Sequence, residues 1–234
     1  PDVEKLVPKS KSTARILYGI YVIMTIVQIL LLRCGGLSFF ESTTLSFGTA
    51  GTGGFAIVNS SIADYSLYTQ IIIGVFMMLF GINFNFYFLL FCGKLKAAFR
   101  NVEVKSYIGI MATSIILIAL NIRHMFGSFF EALHQSAFQV SSVMTTTGYA
   151  TTDFDKWPVF SRTVMLIVMC VGACAGSTGG GFKVSRIIIL AKSAKRELKR
   201  LAHPRSVSVI TMDGKRISDE VVTGTNVFFF IYVV

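Results

Sequence analysis

Acidic residues are scarce in this chain: it has twelve Asp and Glu among 234 residues, against twenty-two Lys and Arg. Charged residues amount to 15% of the total, well below the quarter or so of an ordinary soluble domain, which excludes a water-facing surface of normal polarity. Four cysteines and three histidines without paired spacings leave no material for a disulfide scaffold or a zinc module. What is abundant is apolar mass: 53% hydrophobic residues, 13% aromatic, and a mean hydropathy of +0.66. That excludes intrinsic disorder. A formal charge of +10 ordinarily suggests nucleic acid. Here the basic residues flank long apolar runs, which is the membrane pattern, so no nucleic-acid partner is expected.

A bilayer core about 30 Å thick needs roughly 20 mostly apolar helical residues. The sequence predicts spans over Ala14 to Leu32, Leu67 to Cys92 and, with its flanks, Tyr107 to Ile122. A fourth begins near Pro158 and stops at a glycine-rich break, and beyond it a helix over Phe182 to Leu201 becomes increasingly basic. The run Val227 to Val234 is too short to cross, so the polypeptide is expected to continue past it; Pro1, with no initiator methionine or signal peptide, is expected to be internal too.

Sixteen cations fall on one side: Lys5, Lys9, Lys11 and Arg15; Lys94, Lys96, Arg100 and Lys105; and Lys192, Lys195, Arg196, Lys199, Arg200, Arg205, Lys215 and Arg216. The opposite segments hold Arg33, Arg123, Lys156 and Arg162. The positive-inside tendency makes the basic side cytoplasmic. The Lys192 to Arg205 run reads as a solvated juxtamembrane face able to touch anionic lipid.

The segments between spans one and two and between three and four resemble each other. Both open with Phe-Phe-Glu, at Glu41 and Glu131, and close on Gly-aromatic-Ala, at Gly54 and Gly148. The glutamates are 90 residues apart and the glycines 94, in the same topological slot, which indicates an internal duplication. Each segment reads as a short helix leading into Thr/Gly-rich backbone of poor helix propensity, Thr49 to Gly54 and Thr145 to Gly148. Non-helical backbone at membrane depth is allowed only against protein or a water-filled cavity. Its carbonyls can replace the hydration shell of a permeating cation, toward which the short helix aims its negative end. The alternative is an external loop of turn residues. Glu41 and Glu131 read as helix caps, compatible with a negative outer mouth that concentrates cations.

Gly172, Gly176, Gly179, Gly180 and Gly181 crowd into ten residues with Ala175, Ser177 and Thr178 between them. Each interior glycine costs about 1 kcal/mol of helix stability relative to alanine, so a discontinuous helix is expected, of the kind that forms ion sites or gates. Close helix packing through the glycines is the other reading. A phosphate-binding loop needs Gly-Lys-Ser/Thr after a strand, whereas Lys183 follows Phe182 and precedes Val184. Cys170 and Cys174, one turn apart with no His or carboxylate beside them, read as packing residues. His134 reads as a packed or water-bonded side chain on the second short helix.

The stretches FGTAGTGGF (Phe47 to Phe55), FQVSSVMTTTGYATTDFDKWP (Phe138 to Pro158), CAGSTGGGFKVSRI (Cys174 to Ile187) and KRELKRLAHP (Lys195 to Pro204) resemble the Trk/Ktr/HKT potassium transporter superfamily, its bacterial TrkH type above all. The resemblance implies an all-α membrane protein of span–pore-loop–span repeats, like a potassium channel fused into one chain, with re-entrant pore helices and a broken second span in the later repeat. Residues 1–105 then form one repeat, 106–205 the next with a gating loop at 172–181, and 206–234 a connector and the start of a truncated further repeat. It implies an ion filter at Thr52, Gly53, Gly54, Thr145, Thr146, Thr147 and Gly148, with potassium at Gly54, Thr146, Thr147 and Gly148. No catalytic residue and no covalent cofactor are implied; potassium is the permeant ion. The resemblance also implies a homodimer in the bacterial inner membrane and a cytoplasmic nucleotide-binding regulatory subunit facing Lys192, Lys195, Arg196, Lys199 and Arg200. The functional expectation is passive potassium uptake. A secondary transporter of another small solute and a membrane scaffold are the rival readings.

Overall fold

The computed structural model describes residues 10–203 and 209–234. Lys5, Lys9, Pro204 and Arg205 lie outside the described residues. The chain runs α1 (Ser10–Cys34), α2 (Phe39–Ala50), α3 (Leu67–Phe80), α4 (Phe84–Phe91), α5 (Leu95–Arg100), α6 (Val102–Ile122), α7 (Phe129–Met144), α8 (Val159–Val171), α9 (Val184–Ala202), a two-stranded hairpin of β1 (Thr211–Met212) and β2 (Lys215–Arg216), and α10 (Asp219–Val233). The fold is that of an all-α membrane protein. By length and hydropathy, Ala14–Cys34 and Val102–Met125 are able to cross a bilayer. Both expose aliphatic side chains such as Ile23, Leu30, Ile116 and Leu120, as lipid-facing helices do.

Two units repeat one design. In the first, α2 returns between α1 and α3; in the second, α7 returns between α6 and α8 and also packs on α3, joining the units. The unequal offsets in the sequence have a structural cause. They differ by four residues, and α7, with 16 residues, exceeds α2, with 12, by the same amount. The insertion is therefore about one helical turn, added before the loop rather than in it.

The Leu67 to Cys92 span is not continuous, which corrects the sequence expectation. α3 and α4 meet at 89° across Gly81, Ile82 and Asn83. Asn83 starts the new helix, its side-chain oxygen accepting from Asn85 N at 2.9 Å, and the carbonyl of Gly81 turns out to accept a distant amide, Cys174 N, at 3.1 Å. The break is maintained by tertiary contacts, so apolar composition alone did not reveal it. α8 has 13 residues, about 20 Å, and is too short to cross a bilayer core of about 30 Å by itself. α6 begins five residues earlier than the hydropathy suggested because Asn101 caps it, accepting from Val104 N at 3.0 Å.

The main core lies between α6, α7 and α8, around Tyr107, Ile118, Ile122, Val140, Met144 and Val168, with Val184 at the start of α9. A second, around Leu32, Leu45, Ile73, Met77, Phe138 and Tyr149, joins the two units.

Candidate functional site

Both short helices are capped at their exposed N-terminal ends. Ser38 Oγ accepts from Glu41 N at 3.2 Å and donates to Glu41 Oε2 at 2.7 Å, while Ser38 N donates to the same oxygen at 2.9 Å. This reciprocal capping box satisfies two amides left over at the helix start. These bonds, the side-chain one foremost, hold the Glu41 carboxyl below the usual carboxylate range. At α7, Ser128 Oγ accepts from Glu131 N at 3.1 Å, and Glu131 Oε2 accepts from Gly127 N at 3.2 Å.

At their other ends the helices unwind into loops that match bond for bond. Gly51 N donates to Phe47 O at 2.9 Å, and Thr145 N to Ser141 O at 3.1 Å. Thr52 N reaches Thr49 O and Thr146 N reaches Val143 O, both at 3.1 Å; Gly53 N reaches Gly48 O at 2.8 Å, and Thr147 N reaches Ser142 O at 2.9 Å. The Thr52 and Thr146 hydroxyls each donate to the preceding carbonyl, at 2.8 and 2.6 Å. The φ angles repeat as well: 52° at Thr52 and 59° at Thr146, then 66° at Gly54 and 93° at Gly148. Left-handed backbone costs an L-residue roughly 1–2 kcal/mol, so both threonines are held in place by the surrounding bonds. At Gly54 a Cβ would collide with the Thr147 carbonyl and lie 3.1 Å from the carbonyl carbon of Gly148; the two loops meet there.

These turns direct their amides back onto their own helices. The carbonyls of Thr52, Gly53, Gly54, Thr146, Thr147 and Gly148 accept no hydrogen bond from any described residue. Of these six residues only Thr147 is buried, while Gly53 and Gly148 are exposed, so the unpaired oxygens belong to backbone that lies open beside the contact between the two units. The loops are also locked across the two units. Tyr149, 1% exposed, donates its hydroxyl to Leu45 O at 3.1 Å, and Ala150 N donates to Ser61 Oγ at 3.1 Å.

Between α8 and α9 the backbone doubles back on itself. Phe182 N donates to Cys170 O, Lys183 N to Val171 O, Ala173 N to Gly180 O and Val184 N to Ala173 O, at 3.0–3.3 Å. The strands of this stem cross at Gly172 and Gly181. A Cβ on Gly172 would stand 2.6 Å from Gly180 O, and one on Gly181 2.6 Å from Gly172 Cα. The glycines thus serve two ends at once: they interrupt the helix, and they let two backbones touch. Lys183 closes the stem at a φ of 84°.

Three sides hold the loop. At the α3–α4 break, Cys174 N donates to Gly81 O at 3.1 Å, Phe84 N to Gly176 O at 3.0 Å and Thr178 Oγ1 to Phe80 O at 3.3 Å. Against the paired loops, the one Thr52 hydroxyl proton is shared between Gly51 O and Thr178 O, the latter at 3.2 Å, and Gly180 N donates to Thr146 Oγ1 at 2.6 Å, while the Lys183 ammonium turns back onto Gly179 O. From α6, Glu103 Oε1 accepts from Ala175 N at 2.6 Å and Ser185 N at 3.2 Å. The glycine segment is therefore in direct contact with both Thr/Gly loops.

Of the basic residues on α9, Lys192 donates to Thr211 O at 2.6 Å, and Arg196 pairs with Asp219 at 2.8 Å. Both line an open cavity of about 260 Å³ with Lys195 and Lys199. Arg200 lies along Glu197 at 3.5 Å. His134 Nε2 bonds Gln70 Oε1 at 2.8 Å, and the two hydrogens of the Gln70 amide nitrogen are shared among the carbonyls of Ile62, Ala63 and Tyr65, each 3.1 Å away. That is a structural post for the linker before α3. Among the described residues no three or more His, Cys, Asp or Glu gather. Asn83 and Glu103 escaped the sequence reading. An asparagine inside an apolar run was the available signal for the first; nothing local marked the second.

Comparison with known proteins bears on the whole chain. The profile of the family described as TrkH, cation transport protein, matches residues 3–234. The TrkH potassium uptake protein of Salmonella typhimurium is 34% identical over 97% of this chain and 48% of its own length. The TrkG potassium uptake protein of Escherichia coli is 31% identical over 98% and 48%. The crystal structure of the potassium transporter TrkH from Vibrio parahaemolyticus superposes with a TM-score of 0.89 at 33% identity, covering 97% of this chain and 50% of that one. The chain spans about half the length of the curated relatives it matches. By sequence along its length and by fold, it belongs to the TrkH family of cation transport proteins.

Proposed function

We propose that this chain forms part of the pore of a bacterial potassium uptake protein, in which potassium passes passively between backbone carbonyls. The observation that carries this reading is the pair of matching turns, each leaving three carbonyls free where the two units meet. Thr52, Gly53 and Gly54 form one quarter of the filter, and Thr145, Thr146, Thr147 and Gly148 another, with potassium against Gly54, Thr146, Thr147 and Gly148. A bare oxygen lining favours a monovalent cation because carbonyl dipoles compensate for lost hydration without the trapping that a full charge brings. The relatives' names as potassium uptake proteins support the choice of ion. Residues 1–105 and 106–205 are then two repeats of a larger ring, and 206–234 leads into another.

The Gly172 to Gly181 loop is the gate. It spans both filter loops and is anchored by single hydrogen bonds, an arrangement that can release without unfolding a helix. Glu41 and Glu131 cap the pore helices and add negative charge at their outer ends. The basic side, including α9, faces the cytoplasm, where Lys195 and Lys199, with Arg200 beside Glu197, meet a nucleotide-binding regulatory subunit. The working unit is a homodimer in the inner membrane.

Rubidium uptake by the full-length protein in a potassium-transport-deficient strain tests the reading. The native protein restores uptake and Gly148→Asp abolishes it; uptake unaffected by Gly148→Asp overturns the filter assignment.

A further inference from the structure

Glu103 stands apart from the other charges on its side of the molecule. It comes after a basic stretch containing Lys94, Lys96 and Arg100, yet its side chain is turned inward and only 3% of the residue is exposed. It belongs to the first turn of α6, the helix at the centre of the main core. One oxygen, Oε1, accepts both Ala175 N, on the way into the glycine loop's tip, and Ser185 N, just after its exit. Ser185 is in the first turn of α9, where a backbone amide has no partner within its own helix. Ala175 lies in non-helical backbone. A single carboxylate thus ties both ends of the loop to a rigid helix. Apart from the Lys183 ammonium, which bonds Gly179 O within the loop's own stem, the loop's other anchors are neutral: three at the α3–α4 break and two on the Thr/Gly turns. Bonds to an ionised acceptor are roughly twice as strong as neutral ones, and a buried carboxylate is tolerated only when so used.

We propose that Glu103 is the latch of the glycine loop: a positioning residue whose carboxylate holds the loop shut beneath the two Thr/Gly turns. The inference rests on the loop being the gate, and it adds the element that sets how often the gate opens. The latch is also reachable from outside the membrane core. The residue before it, Val102, donates its amide to Asp213 Oδ1 at 2.8 Å, in the turn of the β1–β2 hairpin. The same hairpin receives Lys192 of α9 through Thr211 O.

The native thiol of Cys174 gives a readout independent of conduction. It lies in the loop, is wholly buried, and its amide is tied to Gly81 O. In the full-length protein, the rate at which N-ethylmaleimide modifies Cys174 is measured by mass spectrometry of its peptide, beside basal rubidium efflux from proteoliposomes. Glu103→Ala is expected to raise both by about tenfold, which corresponds to about 1.4 kcal/mol in the opening equilibrium. Glu103→Gln keeps an oxygen acceptor of the same reach and is expected to stay within about threefold of native. Glu103→Asp, which keeps the charge but withdraws it by one methylene, is expected to lie between them, and it carries the test if Glu103→Ala does not fold. Cys174 protection unchanged in both Glu103→Ala and Glu103→Asp overturns the latch, as does a Gln variant as open as the Ala variant. Faster Cys174 modification with unchanged efflux upholds the latch and refutes the gate.

Discussion

Gly54 and Gly148 occupy equivalent positions in the sequence but not in space, and alanine at each should behave differently. Both have left-handed backbone, with φ of 66° at Gly54 and 93° at Gly148, so either substitution costs roughly 1–2 kcal/mol from conformation alone. At Gly148 a new Cβ meets no atom within 4 Å, and the cost ends there. At Gly54 it runs into the Thr147 carbonyl, with the Thr147 carbonyl carbon at 2.9 Å. That neighbour is backbone, fixed by Thr147 N bonding to Ser142 O, so it cannot rotate away as a side chain would. Forced overpacking of this kind adds about 1–3 kcal/mol, for a total of about 2–5 kcal/mol. The assay is thermal unfolding of full-length variants in detergent, monitored by loss of the monodisperse peak, with rubidium uptake measured in parallel. Gly148→Ala should fold nearly as well as the native protein, and Gly54→Ala should be distinctly less stable and lose uptake, because the collision separates the two turns. Equal stability of the two variants, or the reverse order, would refute the claim that the turns meet at Gly54.

Two further outcomes are expected. The Glu41 carboxyl is held below the usual carboxylate range by its bonds from Ser38, so its stabilising charge is fully present above the ordinary carboxylate pKa of about 4.3 and is lost as pH falls through the lower folded value. Glu41→Gln preserves the capping box and removes the charge; its small stability deficit at pH 7, a few tenths of a kcal/mol at such an exposed helix start, should shrink in thermal melts as the pH is lowered beneath the usual carboxylate range. Deleting Ser177 to Gly180 removes the contacts with Phe80, Thr52 and Thr146 and should raise basal rubidium efflux severalfold; unchanged efflux would leave the glycines with a packing role only.

What could be read from the sequence was whatever is encoded locally. The duplicated Phe-Phe-Glu and Gly-aromatic-Ala marks define the two units, and even their mismatch of four residues was a true signal, resolved as one extra turn in α7. Hydropathy located α1 and α6, and five glycines in ten residues announced the interruption after α8. What depends on distant partners was hidden. The α3–α4 bend occurs within residues as apolar as any in the chain, and it exists because the Gly81 carbonyl and the Phe84 amide bond to the glycine loop some ninety residues further on. Glu103 looked like one more charge beside a basic connector, since only the folded chain brings Ala175 and Ser185 to it. The contact of Thr178 and Gly180 with the two threonine turns was likewise invisible, because spacing along the chain says nothing of which loops share a floor.

In the proposed pore, the free carbonyls of Thr52 to Gly54 and Thr146 to Gly148 take the place of water around a potassium-like ion. Anomalous diffraction from crystals of the full-length protein grown in rubidium measures this directly. A rubidium peak is expected between these two turns, within about 3 Å of their carbonyl oxygens, and it should disappear in Gly148→Asp. A conduction-competent protein whose rubidium peaks all lie elsewhere would contradict this arrangement.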